Sequence, residues 1–458
     1  MDDAIAQEAS VKPLGLAFII VMALLTWTLP RRNAWLPLFV TTCYMPLGQA
    51  FVIAGLHFQF FRILLLVGVV RVFSRGEHKD VEFTDMDRIF RWWAGATLIS
   101  GTLASPSLER LINRCGETLN PVAAYFLFRC WVTDLDSIIR IVRFTAILIL
   151  PMAVLMLVEK FTSHNVFSIF GGVPEITAFR EGKLRCQGAF RHPILAGTYG
   201  ATLFPLIVGL WFLPERGSKW PPILGACGSM AVTLAAASSG AMLAVIGSVI
   251  GLSLWPLRCH MTWIRRGFVA MIIVLSMVMA APVWFLIARM SDITGGTGWH
   301  RSYLIDQAIK HFGEWWMVGS TYTANWAPGG DQILIADPNN MDITNQYIYE
   351  GLGGGLIKLG LFIALIVKSF KIIGSWTHDP EAPLFSRKFF LWSMGVCLIG
   401  HCVSFLSVVY FDQIIVMWCW LLASMSMLGA RSLETLDPEA SPDEETVEIL
   451  DGNVEVVG

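Results

Sequence analysis

The sequence predicts an all-α integral membrane protein with about 12–13 transmembrane helices and a long, partly helical outer-face loop before the last three spans. Of its 458 residues, 55% are hydrophobic and 15% are charged, whereas soluble domains carry about 25% charged residues. The mean hydropathy is +0.60. Apolar runs such as GFVAMIIVLSMVMAAPVWFLI alternate with short charged connectors, a pattern typical of stacked helices and not of barrel strands.

Each span is placed on an apolar stretch near the ~20 residues that cross a bilayer. We predict spans at 14–30, 34–54, 58–73, 89–104, 119–133, 138–158, 193–213, 221–237, 241–256, 267–288, 352–373, 388–410 and 413–430. The N-terminus, MDDAIAQEASVK, is acidic where a secretory signal would be basic, so we expect the first helix to be retained.

The connectors carry their positive charge on alternate sides, which sets the expected orientation. With the N-terminus outside, the inner connectors hold Arg31, Arg32, Arg71, Arg75, Lys79, Arg88, Arg216, Lys219, Arg258, Arg265, Arg266, Lys368, Lys371, Arg387 and Lys388. The expected order is an outer tail (1–13), ten spans with an outer loop at 159–192 (14–288), a large periplasmic loop (289–351), three spans (352–430) and an acidic cytoplasmic tail (431–458).

Two connectors, 159–192 and 289–351, are much longer than the others and fall outside in this orientation. Loops beyond about 15 residues are usually functional or disordered. Taken together they are rich in Trp, Tyr, Arg and His rather than Ser and Pro, so we expect them to be folded.

The first long loop ends in REGKLRCQGAFRHPILAG, which contains Arg180, Lys183, Arg185, Arg191 and His192. Pro193 suits the first turn of the next helix. Arginines at a helix N-terminus oppose the macrodipole unless an anion offsets them, and guanidinium groups bind phosphate in a bidentate manner. The pattern therefore favours a phosphate site. The alternative is that these cations hold lipid headgroups or pair with Glu175 and Glu181.

The second long loop predicts a helix at 299–312 that is stopped by Gly313 and supported by Asp306 and Lys310 at i,i+4 spacing. It carries His300 and, 100° away, Arg301. The aromatic residues nearby predict either an interfacial belt or platforms for sugar rings: Trp299, Tyr303, Trp315, Trp316, Tyr322 and Trp326.

Asp342 and Asn345 would share one side if the following helix begins there, and a carboxylate so placed can accept a proton from a hydroxyl nucleophile. The alternative role for Asp342 is to cap that helix. Arg62 and Asp412 lie at outer ends of spans and could join the site.

The spacing of the acidic residues and the cysteines indicates no metal site. Asp331, Asp337 and Asp342 are spaced too irregularly for a calcium loop. The nine cysteines lie mostly in apolar runs without CxxC spacing, which is typical of small core residues. We expect no metal and no cofactor.

Four stretches resemble the O-antigen ligase and O-antigen polymerase-like family: RCQGAFRHPILAG (185–197), ASSGAMLAVIG (237–247), the segment from 300 to 319 that ends in EWWMVG, and DITNQYIYEGLGGGLIKLG (342–360). The resemblance covers roughly residues 120–430. It departs where the ligases carry a His-Asn pair, because this chain has Thr344 before Asn345.

The resemblance implies a metal-independent glycosyltransferase of the bacterial inner membrane that acts at the periplasmic face. It would transfer a glycan from a polyprenyl-diphosphate donor to an acceptor sugar hydroxyl in exopolysaccharide or O-antigen synthesis. Its implied partners are the lipid-linked donor, the sugar acceptor, the bilayer and a chain-length regulator protein, with no nucleic acid.

The resemblance and the residue chemistry together give three sets of expected site residues. The expected catalytic residues are Asp342, His300 and Arg301. The expected diphosphate ligands are Arg180, Arg185, Arg191 and His192. The expected acceptor contacts are Trp299, Trp315 and Asn345.

A multi-span transporter or flippase for polysaccharide or lipid-linked glycan is the alternative. Transporters usually show two related halves and midplane sites, and the sequence shows no repeat. A metal-dependent oligosaccharyltransferase is disfavoured, because such enzymes usually need an acidic pair in the first outer loop and no acid lies between Ala54 and Phe58.

Overall fold

The computed structural model describes residues 12–53, 56–104, 106–180, 182–213, 219–289, 298–327, 335–337, 340–378 and 385–430. The predictions for most of the N-terminal tail, for Glu181, for Asp331 and for the acidic tail at 431–458 lie outside these residues. Within them the chain is mostly helical.

The helices of the described chain are α1 (Pro13–Thr28), α2 (Leu36–Tyr44), α3 (Phe60–Ser74), α4 (Asp85–Ala104), α5 (Leu108–Trp131), α6 (Leu135–Thr162), α7 (Pro193–Trp211), α8 (Trp220–Ala235), α9 (Ser239–Ser253), α10 (Met261–Val278), α11 (Gly298–Lys310), α12 (Phe312–Trp315), α13 (Gln346–Thr377), α14 (Phe385–Ser404) and α15 (Gln413–Ala430). Helices α1–α10 and α13–α15 each overlap one predicted span, whereas α11 and α12 belong to the long loop.

In the part of the chain that the structure describes, four helical segments are long and apolar enough to cross a membrane: Leu135–Thr162, Pro193–Trp211, Trp255–Val278 and Gln413–Ala430. Three shorter apolar helices are Pro13–Thr28, Trp220–Ala235 and Ser239–Ser253. The fold is therefore compatible with an all-α membrane protein, whereas the full span count stays a prediction.

Among the described residues, three two-stranded antiparallel hairpins supplement the helices. They are β1 (Ala50–Ile53) with β2 (Leu56–Gln59), β3 (Ala178–Arg180) with β4 (Lys183–Arg185), and β5 (Ile335–Asp337) with β6 (Asn340–Met341). The predicted continuous span at 34–54 is wrong for this reason. Its helix ends at Tyr44, because Met45 precedes Pro46 and takes the extended conformation that proline favours in the preceding residue.

Other helix boundaries also differ from the predicted ones. Helix α5 begins at Leu108 rather than at 119, because Ser107 caps it by accepting a hydrogen bond from the Arg110 amide at 3.1 Å. Helix α11 ends at Lys310, and Gly313 lies inside α12 instead of stopping α11.

The helices run between two ends of the bundle. One end, here called the loop end, carries the segments described at 163–180, 182–192, 298–327, 335–337 and 340–345. There the Cys186 amide donates to the Ala235 carbonyl at 3.2 Å, and the Gln346 amide donates to the Phe405 carbonyl at 2.8 Å. The loop before α7 therefore contacts the end of α8, and the start of α13 contacts the chain just after α14.

The opposite end, here called the connector end, holds paired arginines. Arg31 contacts Asp80 at 2.5 Å and donates to the Cys130 carbonyl at 3.0 Å. Arg71, fully buried, pairs with Glu77 at 2.8 Å. Arg31 and Arg71 are thus paired with carboxylates, and Arg31 also with a carbonyl.

Candidate functional site

A buried carboxylate fixes the loop at 163–192. Glu159, at the end of α6, is 1% exposed. Its Oε1 accepts hydrogen bonds from Thr177 Oγ1 and the Gln187 amide, both at 3.1 Å, and its Oε2 accepts from the Gly188 amide at 2.9 Å. Hydrogen bonds to a charged acceptor are the stronger kind, so Glu159 holds the loop against the bundle.

The loop inserts an apolar plug between two groups of basic residues. Cys186, Ala189 and Phe190 are fully buried, and Gln413 donates to the Ala189 carbonyl at 2.7 Å. The β3–β4 hairpin before the plug carries Arg180 and Arg185. The plug therefore positions basic side chains at the surface of the bundle.

His192 is the N-cap of α7, and Pro193 occupies the first turn as predicted. Its Nδ1 accepts a hydrogen bond from the Ile194 amide at 3.2 Å, so this nitrogen carries no proton. Burial by the surrounding loop lowers the pKa of His192 to about 4, and the positive charges of Arg185 and Arg180 contribute. The imidazole is neutral at pH 7, although the residue still contacts solvent.

Arg301 lies on the buried face of α11 and is 6% exposed. Its Nη2 donates to Ser239 Oγ at 3.2 Å, whereas its Nη1 has no hydrogen-bond partner among the described residues. Burial lowers the pKa of Arg301 to about 10, and the positive charge of Arg185 contributes. A buried guanidinium here faces another cation rather than a carboxylate.

The guanidinium of Arg301 reaches the N-terminus of α9. Ser238 is the N-cap of that helix but makes no capping hydrogen bond through its side chain. A side-chain carbon added at Gly240 would lie 3.5 Å from Arg301 Nη2. The amides of the first turn and the positive end of the helix dipole thus add to the charge of Arg301.

His300 lies beside Arg301, and its tautomer follows from its contact. The His300 Nε2 atom lies 3.1 Å from the Asp342 carbonyl oxygen, and because a carbonyl only accepts, Nε2 carries the proton. The buried Nδ1 atom is then a free acceptor, with no hydrogen bond to any described residue. Burial lowers the pKa of His300, and the charges of Arg301 and Arg180 act in the same direction against the opposing effect of Asp342.

These residues form one electropositive cluster, here called the basic site: Arg180, Arg185, His192, His300 and Arg301. The two long loops therefore converge at these residues. Guanidinium groups and helix N-termini are the groups that bind anions in proteins.

Arg191 lies apart from the basic site. Its Nη1 is 4.0 Å from Asp412 Oδ2, on the wall of a cavity of about 300 Å³ within the bundle. The reason is local: His192 has φ −145° and ψ 141°, and successive side chains of extended backbone point to opposite sides.

This cavity, here called the chamber, lies between α4, α5, α13 and α15. Its charged and hydrogen-bonding lining residues include Arg62, Trp93, Arg191, Glu350, Lys358 and Asp412. Arg62 and Asp412, which the sequence placed at outer ends of spans, are thus part of the chamber and not of the basic site.

The remaining predicted site residues occupy different environments. Asp342 is exposed and precedes α13, so the expectation that it shares a helix face with Asn345 is wrong. Asn345 caps α13 instead, since its Oδ1 accepts from the amides of Tyr347 at 3.0 Å and Ile348 at 3.2 Å. Both lone pairs of that oxygen are used.

The two tryptophans expected to contact sugar differ in exposure. Trp315 is buried and donates through Nε1 to the Ala308 carbonyl at 2.8 Å. It packs in a small core beneath α11, which corrects its assignment as an acceptor contact. Trp299 is 53% exposed and stacks on Tyr303 with ring centroids 5.0 Å apart, so its ring keeps an open face.

Sequence reasoning missed Glu159, Ser239 and the pair of Glu350 with Lys358. A charge at the end of an apolar run, as in VLMLVEKF, was a usable signal for Glu159. Ser239 carried no such signal, because only the fold brings the start of α9 under Arg301.

Comparison with known proteins gives no relative on which to base a role. No family model matches the chain, and no curated protein matches it.

Proposed function

We propose that the chain is a membrane glycosyltransferase of the O-antigen ligase and polymerase type, which transfers a glycan from a polyprenyl-diphosphate donor to a sugar hydroxyl. The loop end would face the periplasm of a bacterial inner membrane. The proposal joins the resemblance of four sequence stretches to the chemistry of the basic site.

One observation carries the proposal: Arg301 is buried beside the charge of Arg185 and has an unused donor atom, Nη1, within the described chain. Burial of an uncompensated charge is costly. A diphosphate would remove that cost by accepting hydrogen bonds from both guanidinium groups and from the start of α9.

The proposed reaction is a single displacement. The acceptor oxygen forms a bond to the anomeric carbon as the bond from that carbon to the diphosphate oxygen breaks, and the lipid diphosphate leaves with the electron pair. The cations of the basic site stabilise the charge that develops on the leaving oxygen, a contribution of about 3–4 kcal/mol for one well-placed donor. Inversion at the anomeric carbon follows.

His300 is better placed than Asp342 to take the proton from the acceptor hydroxyl. Its Nδ1 carries no proton in the neutral tautomer that the contact with the Asp342 carbonyl selects, and burial lowers the pKa of the imidazole, which favours that neutral form. The Asp342 carboxylate is exposed and acts on His300 through its charge. We therefore assign the base to His300 and a supporting role to Asp342.

Binding of farnesyl diphosphate, compared with farnesol, tests the anion site on purified protein in nanodiscs. Wild-type protein should bind the diphosphate more tightly by about tenfold or more, which corresponds to 1.4 kcal/mol. Arg301→Ala should abolish this preference, whereas Arg265→Ala, an exposed arginine at the start of α10, should keep it. Equal binding of the two lipids to wild-type protein would exclude a diphosphate site here.

Transfer itself is tested in cells and in proteoliposomes. Arg301→Ala and His300→Gln should shorten the surface glycan on gels and stop formation of new glycosidic bonds from a lipid-linked donor. Full-length polymer in a stably expressed Arg301→Ala strain would remove Arg301 from the reaction. A reporter fused after Arg180 should report the periplasm.

One observation favours a transporter as the second candidate. Helix α13 is broken at Gly354 and Gly355, with φ/ψ of −174°/22° and 68°/−165°, and the buried pair of Glu350 and Lys358 flanks the break. Interrupted helices with buried charges are typical of transporters. Movement of lipid-linked glycan across proteoliposomes, with no new glycosidic bond, would support this candidate instead.

A further inference from the structure

We propose that the chamber binds one neutral sugar ring, and that this ring is the acceptor of the reaction proposed above. The identification of this ring as the acceptor rests on the proposed function. Binding of a neutral sugar is a separate property of the chamber. Four features of the chamber support it: its charge balance, its donors and acceptors, its aromatic walls and its position.

The charges of the chamber lining are balanced. Among the lining residues that the structure describes, the cations are Arg62, Arg191 and Lys358 and the carboxylates are Glu117, Glu350 and Asp412. Lys358 pairs with Glu350 at 3.1 Å, and both side chains are 3% exposed. An anion would have to compete with these carboxylates, so the chamber favours an uncharged ligand, in contrast to the basic site.

Hydrogen-bond donors and acceptors alternate around the chamber. Arg62 donates through Nε to Asn120 Oδ1 at 3.2 Å, and Asn120 Nδ2 donates to Gln59 Oε1 at 3.4 Å. Gln59 Nε2 in turn lies 3.5 Å from Asp412 Oδ1. A sugar hydroxyl both donates and accepts, so it can insert at the long links of such a chain.

The Glu350 carboxylate on the chamber wall is fixed by several hydrogen bonds. Glu350 accepts from Trp93 Nε1 at 3.0 Å and from Gln346 Nε2 at 2.7 Å in addition to Lys358. Gln346 Oε1 accepts from the Tyr410 amide at 2.7 Å. Polar groups that are already oriented bind a ligand without further ordering cost.

Aromatic rings supply the apolar walls. Trp93, Tyr349 and Trp418 line the chamber beside Phe362 and Phe405. Mostly apolar walls with a few oriented polar groups are typical of small-molecule sites, and a volume of about 300 Å³ is at the lower end of their range. The chamber therefore suits a single ring rather than a glycan chain or a lipid tail.

The position of the chamber connects it to the basic site. Arg191 contacts Asp412 on the chamber wall, while His192, the next residue, belongs to the basic site. Consecutive Cα atoms are about 3.8 Å apart. The chamber and the basic site therefore share the segment that leads into α7.

The experiment is equilibrium binding of tritiated methyl glycosides of glucose, galactose, mannose and N-acetylglucosamine to full-length protein in nanodiscs. At least one glycoside should bind saturably to wild-type protein. Trp93→Ala should weaken it about tenfold or more, since the variant loses both a stacking ring and the hydrogen bond that orients Glu350. Trp92→Ala is the matched control, because Trp92 is the neighbouring residue, 64% exposed, and should change nothing.

Two further variants separate the chamber from the basic site. Asn120→Ala and Tyr349→Phe remove chamber groups by small changes and should also weaken binding, so the test does not depend on the folding of Trp93→Ala. Arg301→Ala should bind the glycoside normally while losing its preference for farnesyl diphosphate.

The inference is overturned if none of the four glycosides binds saturably, or if Arg301→Ala loses glycoside binding while Trp93→Ala, Asn120→Ala and Tyr349→Phe keep it. Glycoside binding without any diphosphate preference in wild-type protein would contradict the proposed transfer reaction but would still support sugar binding in the chamber.

Discussion

The basic site and the chamber lie on either side of the same short segment, yet they handle charge in opposite ways. In the chamber, Glu350 and Lys358 are both buried and neutralise each other. In the basic site, Arg301 is equally buried but faces Arg185. The difference teaches that a buried cation can be matched by a neighbouring carboxylate, as Lys358 is by Glu350, whereas Arg301, whose Nη1 has no hydrogen-bond partner in the described chain, is the proposed anion ligand.

The largest expected effect comes from breaking the chamber pair. Lys358→Met should lower the free energy of unfolding by about 3–5 kcal/mol, because it leaves Glu350 as an uncompensated buried charge. The control is Lys368→Met on the same helix, where the pair with Asp85 at 2.9 Å is 35% and 55% exposed and contributes below about 1 kcal/mol. Equal losses in a denaturation experiment in detergent would contradict the comparison.

The same kind of substitution should act differently in the basic site. Arg301→Met keeps the volume of the side chain but removes an uncompensated charge, so we expect no loss of stability. Affinity for farnesyl diphosphate should fall about tenfold to a hundredfold, since hydrogen bonds to charged groups contribute about 1.5–3 kcal/mol. A variant that unfolds as readily as Lys358→Met would show that Arg301 is structurally compensated.

A smaller effect is expected from one hydrogen bond of the chamber. Trp93→Phe keeps an aromatic wall but removes the donor to Glu350, which still has Gln346 and Lys358. We expect a loss of about 1 kcal/mol in unfolding free energy. Trp92→Phe should leave stability unchanged, and a similar loss there would mean that the effect is not specific to the chamber.

The smallest effect concerns pH and the basic site. His192 has a pKa of about 4 in the folded chain against an ordinary value of 6.5, so the unfolded chain binds more protons between these values. Stability should therefore fall as the pH drops from about 6.5 toward 4. His192→Asn, which retains an N-cap side chain, should flatten this dependence, while His164→Asn at an exposed position should not. Contact with solvent keeps the effect small.

The sequence was sufficient for the helices and for part of the site. Hydropathy located each main helix, and the Pro at position 193 located the start of α7. It failed at Met45, where a local proline effect outweighed the apolar composition. Sequence reasoning also grouped Arg191 with the other arginines of the loop. The structure separates them, because φ and ψ, and not the spacing along the chain, decide to which side a side chain points.

The limits of sequence reasoning are clearest in the charged pairs. Whether a cation is compensated depends on which helix lies opposite, and Lys358 and Arg301 look alike in sequence. Their difference appears only when α4 brings Trp93 to Glu350 and when α9 brings Ser239 to Arg301. These are contacts between residues far apart in the chain.

The extended backbone at His192 has a consequence for inhibition. Because Arg191 lines the chamber and His192 belongs to the basic site, we expect a single molecule that carries a sugar ring and a diphosphate mimic to contact both. Tethering makes the second contact intramolecular, which raises avidity without any new interaction.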